Sequence, residues 1–178
     1  MTITVPTRLE EAGLKAATLT DALPYIREYR GCSVVVKVGG DLLDDKHRAS
    51  VLAQDLALLS YVGIRIVVVH GGGPQVTRAM KAAGLEPTFV SGLRVTEPHV
   101  MEAVRQVLVG SINPSFVALL REAGLNAFGL SGVDGGLIEA KLASGPNGEK
   151  LGQVGGVATT RGSIDATPPI CSTPATHR

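Results

Sequence analysis

Two short glycine-rich segments carry the residues best suited to chemistry in this sequence. One is Gly39-Gly40, and the other is His70 followed by Gly71, Gly72 and Gly73. Each follows an apolar run rich in β-branched residues, which predicts a buried parallel strand that ends at glycine. Glycine lets backbone N–H groups approach an anion, and α/β proteins bind ligands at the carboxyl ends of their strands. Together the two segments favour one phosphate-binding cradle over two ordinary tight turns.

Two cations accompany the glycine segments. Lys37 stands inside the first apolar strand, where a lysine is costly unless its ammonium reaches a partner or water. Its position just before Gly39 favours a phosphate-binding lysine over an edge-strand lysine that extends into solvent. Arg94, flanked by apolar residues, could bind a carboxylate through two hydrogen bonds or could form only a surface ion pair. His70 fits a packed strand-end residue as well as a base.

The elements that must position these residues alternate between helix and strand. This alternation predicts an α/β fold, namely an α-β-α sandwich with a mainly parallel central sheet, preceded by an N-terminal helical arm. The predicted elements are a helix over 7–30 kinked at Pro24, strands 33–38 and 64–69, a helix capped by Asp44 or Asp45 that buries Val51, Leu52, Leu56 and Leu59, a helix over 75–83, a strand pair over 89–96, a long helix from Glu97 disturbed at Gly110 and Pro114, strands 126–130 and 137–142, and a turn at 145–148.

Bulk properties exclude several classes of protein. The net charge of +1 over 178 residues supplies no long-range field for nucleic acid. Cys32 and Cys171 match no metal or redox spacing, and no metal site is expected. No apolar run approaches bilayer length and no secretion signal is evident, so we expect a cytoplasmic protein without a membrane partner.

Rival motifs can be tested directly. The P-loop and the dinucleotide-binding glycine pattern are both absent. The His-Gly-Gly-Gly segment also resembles the oxyanion loop of lipase-like hydrolases, which need a Gly-x-Ser-x-Gly nucleophile turn. The candidate around Ser131 has Val133 in place of the last glycine. A hydrolase is therefore the weaker alternative.

Several segments in this order resemble the acetylglutamate kinases, a family within the amino-acid kinases. They are Val-Lys-Val-Gly-Gly at 36–40, Val-Val-His-Gly-Gly-Gly-Pro-Gln at 68–75, Gly-Leu-Arg-Val-Thr at 92–96, Gly-Leu-Ser-Gly-Val-Asp-Gly at 129–135 and Gly-Gln-Val-Gly at 152–155. The resemblance covers roughly residues 19–157. It implies ATP-dependent phosphorylation, with Mg²⁺, of the γ-carboxylate of N-acetyl-L-glutamate in arginine biosynthesis.

The resemblance also implies a role for each candidate residue. Lys37 would be catalytic and would stabilise the transferring phosphoryl group. Gly39 and Gly40 would line the nucleotide-phosphate side, whereas Gly72 and Gly73 would hold the reacting carboxylate. Arg94 would bind the α-carboxylate of the substrate.

The N-terminal helix has a counterpart in arginine-inhibited members. Residues 22–27 resemble a kinked helix that joins dimers into a hexameric ring, and Tyr25 matches a residue that contacts the inhibitor. This similarity implies a homo-oligomer, a dimer or a hexamer formed through the arm. A simple amphipathic packing helix is the alternative.

The resemblance implies a domain division. Residues 1–30 form the kinked arm, 31–158 the acetylglutamate-binding domain and 159–178 a disordered tail rich in threonine and proline. Family members are longer, and their second half supplies the nucleotide-binding domain, which we expect to be absent from a truncated or frameshifted chain. We therefore expect impaired kinase activity, with a non-catalytic acetylglutamate-binding or oligomerisation module as the alternative.

Overall fold

The computed structural model describes residues 7–160, with side chains described through Gly155. The α/β class predicted from the sequence is confirmed. The elements are α1 (Arg8–Tyr29), β1 (Ser33–Val38), α2 (Gly40–Asp44), α3 (Lys46–Tyr61), β2 (Arg65–His70), α4 (Gly73–Ala82), β3 (Phe89–Val90), β4 (Leu93–Arg94), α5 (Pro98–Val107), a π-helical turn (Leu108–Ile112), α6 (Asn113–Glu122), a 3₁₀ turn (Asp134–Gly136), β5 (Ile138–Ser144) and β6 (Lys150–Thr160).

Strands β1 and β2 form a parallel pair, as their apolar composition predicts. One face of the pair covers a core of Ala53, Leu56, Phe116 and Leu120, which joins α3 to α6. On the other face Val35 is 64% exposed and Val69 is 53% exposed. Within residues 7–160, helices therefore cover one face of the parallel pair. The remaining named strands form two antiparallel hairpins, β3–β4 and β5–β6.

Asp45 is the N-cap of helix α3, and its carboxylate accepts hydrogen bonds from the backbone N–H groups of His47 and Arg48 at 2.9 and 3.1 Å. The sequence predicted either Asp44 or Asp45 as the N-cap, and in the structure the N-cap is Asp45. The predicted buried face is partly wrong. Leu56 is buried, but Val51 is 43% exposed and Leu59 is 37% exposed, because α3 packs through small side chains of its alanines.

Replacing Asp45 with alanine is expected to lower the free energy of unfolding by about 1 kcal/mol, because two N–H groups of the first turn lose their acceptor. Urea unfolding measures this loss. Asp55→Ala is the control, since Asp55 is exposed in the middle of the same helix and caps nothing. Equal losses for both variants would contradict a capping role.

Helix α1 starts with a reciprocal capping box between Thr7 and Glu10 and buries none of its residues. The helix continues through Pro24 without a break, although proline removes one backbone hydrogen bond. Leu9 and Leu14 are 83% and 71% exposed. The predicted helix is confirmed, and its apolar side chains lie on the surface.

The helical run Pro98–Glu122 is long and apolar enough, by length and composition alone, to cross a membrane. The expectation that no segment approaches bilayer length is therefore wrong. The core helix of a soluble protein passes the same test. Here Val100 packs against α4, and Phe116 and Leu120 pack against α3, so part of the run belongs to the core. The predicted disturbance near Gly110 and Pro114 is the π-helical turn.

Two predictions near the C-terminal end need correction or limits. Residues 126–130, predicted as a strand, have no regular structure, and the apolar side chains Leu125 and Ala127 pack on the core instead. Thr159 and Thr160 belong to β6 rather than to a tail. The rest of the predicted tail, residues 161–178, lies outside the described residues.

Candidate functional site

The two glycine segments lie side by side at the carboxyl end of the parallel pair. Val38 is in register with His70, so the chains leave the two strands next to each other. The Gly71 N–H donates to the Val38 carbonyl at 3.0 Å. A Cβ placed on Gly40 would lie 2.9 Å from the Gly72 Cα. The predicted juxtaposition of the two glycine segments is confirmed, and their backbones are in van der Waals contact.

Gly72 is the N-cap of α4 and is closely packed. A Cβ there would lie 2.6 Å from Leu108 Cδ2 and closer still to Ile112 Cδ1. Both contacts come from the π-helical turn. The φ of −174° is open to any residue, so crowding by these two side chains, and not backbone strain, favours glycine at this position. A Cβ on Gly73 would meet nothing within 4 Å, which leaves that side of the α4 N-terminus open.

Arg94 lies on β4, across a two-residue hairpin turn in which Ser91 and Gly92 have φ values of 50° and 79°. Its Nη2 donates to Thr77 Oγ1 at 2.7 Å and to the Gly73 carbonyl at 3.3 Å. The guanidinium carbon lies 4.7 Å from the centroid of the Phe89 ring. Partial burial lowers the pKa of the Arg94 guanidinium from its ordinary value, yet arginine remains protonated. The Arg94 guanidinium is therefore a cation fixed in position beside the second glycine segment.

A cleft of about 260 Å³ lies between α4, α5 and β6. Its polar wall contains Gly72, Gly73 and Arg94, and its apolar wall contains Val104 and Leu108. One wall that attracts a carboxylate and another that accepts methyl or methylene groups suit a small acidic ligand with an apolar portion.

Strand β6 forms a further wall of the cleft because it is hydrogen-bonded to Thr96, which lies outside β6 and is only 5% exposed. The Thr96 N–H donates to the Leu151 carbonyl at 2.8 Å, and the Gln153 N–H donates to the Thr96 carbonyl at 2.5 Å. Gln153 and Val154 thereby become part of the cleft wall. The sequence did not predict that Gln153 and Val154 line the cleft, because no local pattern connects residue 96 with residue 152.

The remaining predicted site residues lie elsewhere. Lys37 is exposed on the open face of the parallel pair, makes no ion pair with the described residues and does not line the cleft. Tyr25 is 66% exposed on α1. His70 Nδ1 lies 3.2 Å from the Gly71 carbonyl. Ser131 donates to Asp134 at 2.9 Å within a tight turn, so its hydroxyl serves local structure rather than a nucleophile turn.

The fold and the site together define an α/β protein in which two glycine segments meet at the carboxyl edge of parallel strands, beside a cleft whose lining suits an acidic ligand. The chain belongs to the amino acid kinase family, whose model matches residues 33–163. That match includes both glycine segments, Arg94 and the β5–β6 hairpin.

Individual relatives agree with the family. The chain is 50% identical to the acetylglutamate kinase of Novosphingobium aromaticivorans over 127 residues, which cover 71% of this chain and 42% of the relative. It is 43% identical to the acetylglutamate kinase of Halothermothrix orenii over 150 residues, which cover 84% of this chain and 52% of the relative. The chain thus spans about half the length of the curated relatives it matches.

A solved structure is also similar. It is N-acetylglutamate synthase from Neisseria gonorrhoeae in complex with coenzyme A and N-acetyl-glutamate. The TM-score is 0.69 at 29% identity, and the match covers 82% of this chain and 32% of the synthase.

Proposed function

We propose that the protein is an acetylglutamate kinase whose described residues form the acetylglutamate-binding part of the phosphotransfer site. The reaction would be ATP-dependent phosphorylation of the γ-carboxylate of N-acetyl-L-glutamate in arginine biosynthesis, in the cytoplasm. The observation that carries the proposal is the single cleft that contains both the Arg94 guanidinium and the open glycine segment at the α4 N-terminus.

Two groups of the cleft would each bind one carboxylate of the substrate. The Arg94 guanidinium would bind the α-carboxylate through two N–H groups, which matches the planar fork of arginine. The backbone N–H groups at Gly72 and Gly73, with the positive end of α4, would hold the γ-carboxylate. The substrate would then lie with its two carboxylates fixed at two points, and phosphoryl transfer depends mainly on such positioning.

The nucleotide side fits the described residues in one respect. A Cβ on Gly39 would meet nothing within 4 Å, so a phosphate can approach the backbone there. Gly39 and Gly40 would face the nucleotide phosphates, and Lys37 would neutralise charge on the transferring group. When bound, Mg-ATP supplies that group. Among the described residues 7–160, no cluster of three or more His, Cys, Asp or Glu side chains could hold a metal ion.

The exposed apolar side chains of α1 favour a second candidate function. A helix that buries none of its residues while exposing several leucines suits an arm that joins copies of the chain, as a dimer or a hexamer. Under either candidate, residues 1–30 would be the oligomerisation arm, residues 31–158 would bind acetylglutamate, and Tyr25 would belong to an arginine-inhibitor site. Under the second candidate, the chain would act as a non-catalytic acetylglutamate-binding or oligomerisation module.

Two measurements on the 178-residue chain test these candidates. Calorimetry with N-acetyl-L-glutamate tests binding, and ADP release from Mg-ATP with N-acetyl-L-glutamate tests turnover. Binding with turnover supports the kinase, whereas binding without turnover supports the module. Absence of binding contradicts both the kinase and the acetylglutamate-binding module.

Arg94→Ala is expected to weaken the affinity for N-acetyl-L-glutamate about 30- to 100-fold, because a charge-assisted, two-point contact with a carboxylate is removed. Calorimetry measures the change. Arg121→Ala is the matched control, since Arg121 is an exposed arginine on α6 outside the cleft. Arg94→Lys keeps the charge without the fork and should fall between the two. An unchanged affinity in Arg94→Ala would contradict the assigned role.

A further inference from the structure

Helices α2 and α4 are joined by two side-chain links. Gln75 Nε2 donates to the Gly40 carbonyl at 2.7 Å. One turn further along α4, Arg78 forms a two-point ion pair with Asp44, in which Nη1 lies 2.7 Å from Oδ2. Gln75 and Arg78 share a face of α4, and Gly40 and Asp44 share a face of α2. We call these two links the α2–α4 ladder.

The ladder spans the two glycine segments. Helix α2 begins at Gly40 and α4 has Gly72 as its N-cap, so each helix starts at one segment. The Gly72 backbone lies so close to Gly40 that a Cβ on Gly40 would be 2.9 Å from the Gly72 Cα. Any change in the angle or spacing of α2 and α4 therefore moves one glycine segment relative to the other.

The Gln75 amide indicates that this spacing is constrained. Its Oε1 is buried and has no hydrogen-bond partner among the described residues. Buried polar atoms are nearly always paired, so an exception requires a reason. A reversed amide would place Oε1 against the Gly40 carbonyl, where two acceptors repel. The side chain thus keeps the link to Gly40 and leaves its own oxygen unpaired.

The second link is partly solvated, with side-chain exposures of 58% for Arg78 and 39% for Asp44. Ion pairs this exposed add little to overall stability. The two-point geometry does fix orientation, since the planar guanidinium and the carboxylate align in one way. The pair is therefore better suited to holding two helices in register than to stabilising the fold.

We propose that Gln75 and Arg78 are positioning residues that set the separation between the nucleotide-phosphate segment at Gly39-Gly40 and the carboxylate segment at Gly72-Gly73. This inference rests on the proposed function for the identity of the two ligands. Neither side chain is assigned a contact with a reacting atom. Their effect is on the distance over which a phosphoryl group would move.

The direct test is amide hydrogen exchange of the full chain, followed by NMR at Gly71, whose N–H bonds to Val38 across the two segments. Exchange at Gly71 is expected to be about fivefold faster in Arg78→Asp and in Gln75→Leu, because the local opening is less restrained. Asp44→Arg combined with Arg78→Asp restores the pair with reversed charge and should return exchange to the wild-type rate. Lys81→Glu is the control, since Lys81 is an exposed α4 cation with no ion pair among the described residues.

Unchanged exchange in both single variants, no recovery in the reversed pair, or the same acceleration in Lys81→Glu would each overturn the ladder. N-acetyl-L-glutamate titrated into the wild-type chain tests the proposed function separately, because absent binding would leave the exchange result intact.

In a chain that turns over, Arg78→Asp should lower kcat about tenfold with KM for N-acetyl-L-glutamate changed less than twofold, since misplacement affects the transfer step. A rise in KM as large as the fall in kcat would overturn the positioning role.

Discussion

Replacing Gly152 with alanine is expected to lower the free energy of unfolding by about 3 kcal/mol, the combined cost of a left-handed backbone and of overpacking. Gly152 has a φ of +71°, and a Cβ there would press against the Thr96 carbonyl, with the Thr96 carbonyl carbon at 2.6 Å. Because backbone atoms cannot rotate away, β6 must separate from Thr96. Urea unfolding measures the stability, and calorimetry should show weaker binding of N-acetyl-L-glutamate, since the cleft loses its Gln153 wall.

Gly148→Ala is the matched control for this variant. Gly148 also has a positive φ, +84°, but a Cβ there would meet nothing within 4 Å. We expect it to lose about 1 kcal/mol from backbone strain alone. If the two variants were equally destabilised, the contact with Thr96 would not be the cause, and the docking of β6 on residue 96 would be contradicted.

Replacing Gly72 with alanine is expected to cost about 1–3 kcal/mol of unfolding free energy by overpacking, because the new methyl group would meet Leu108 and Ile112. The same shift moves the α4 N-terminus, so affinity for N-acetyl-L-glutamate should also fall, by about tenfold. Urea unfolding and calorimetry measure the two effects.

Gly73→Ala is the control for Gly72→Ala, because it removes a glycine from the same segment without creating a steric contact. Gly73 is one residue further along, lies in the first turn of α4 and has open space where a Cβ would be. Its stability should change by less than about 1 kcal/mol, since alanine favours helix over glycine. A larger loss in Gly73→Ala than in Gly72→Ala would show that the π-helical turn does not constrain the glycine segment.

The sequence predicted the features that depend on local pattern. Two β-branched runs that each end in glycine imply adjacent parallel strands, and the structure places Val38 in register with His70. The hairpin at Ser91-Gly92 and the turn at Gly148 were also predictable, because turn residues are chosen for their backbone conformation. The position of Arg94 beside the second glycine segment depends in addition on its contacts with Thr77 and the Gly73 carbonyl.

Features set by distant contacts were not predictable. The parallel bridge between Thr96 and Gly152 joins segments with no local signal in common. The buried face of α3 is rotated away from Val51 and Leu59 because alanines allow α6 to approach closely, which depends on the partner helix. The apolar residues near Asn126 pack as an irregular segment, since a pattern of apolar residues does not reveal whether a neighbouring strand is available.

The contacts of Arg94 have a consequence for how the cleft responds to a ligand. A free arginine side chain carries about 2 kcal/mol of rotamer entropy, and much of it is lost when the guanidinium is immobilised by a carboxylate. Here Thr77 and the Phe89 ring already restrict the side chain. Most of that ordering therefore occurs during folding rather than at the encounter, and a carboxylate meets a preorganised guanidinium. Loosening the side chain through Thr77→Val should make binding entropically less favourable while the charge of the site stays the same.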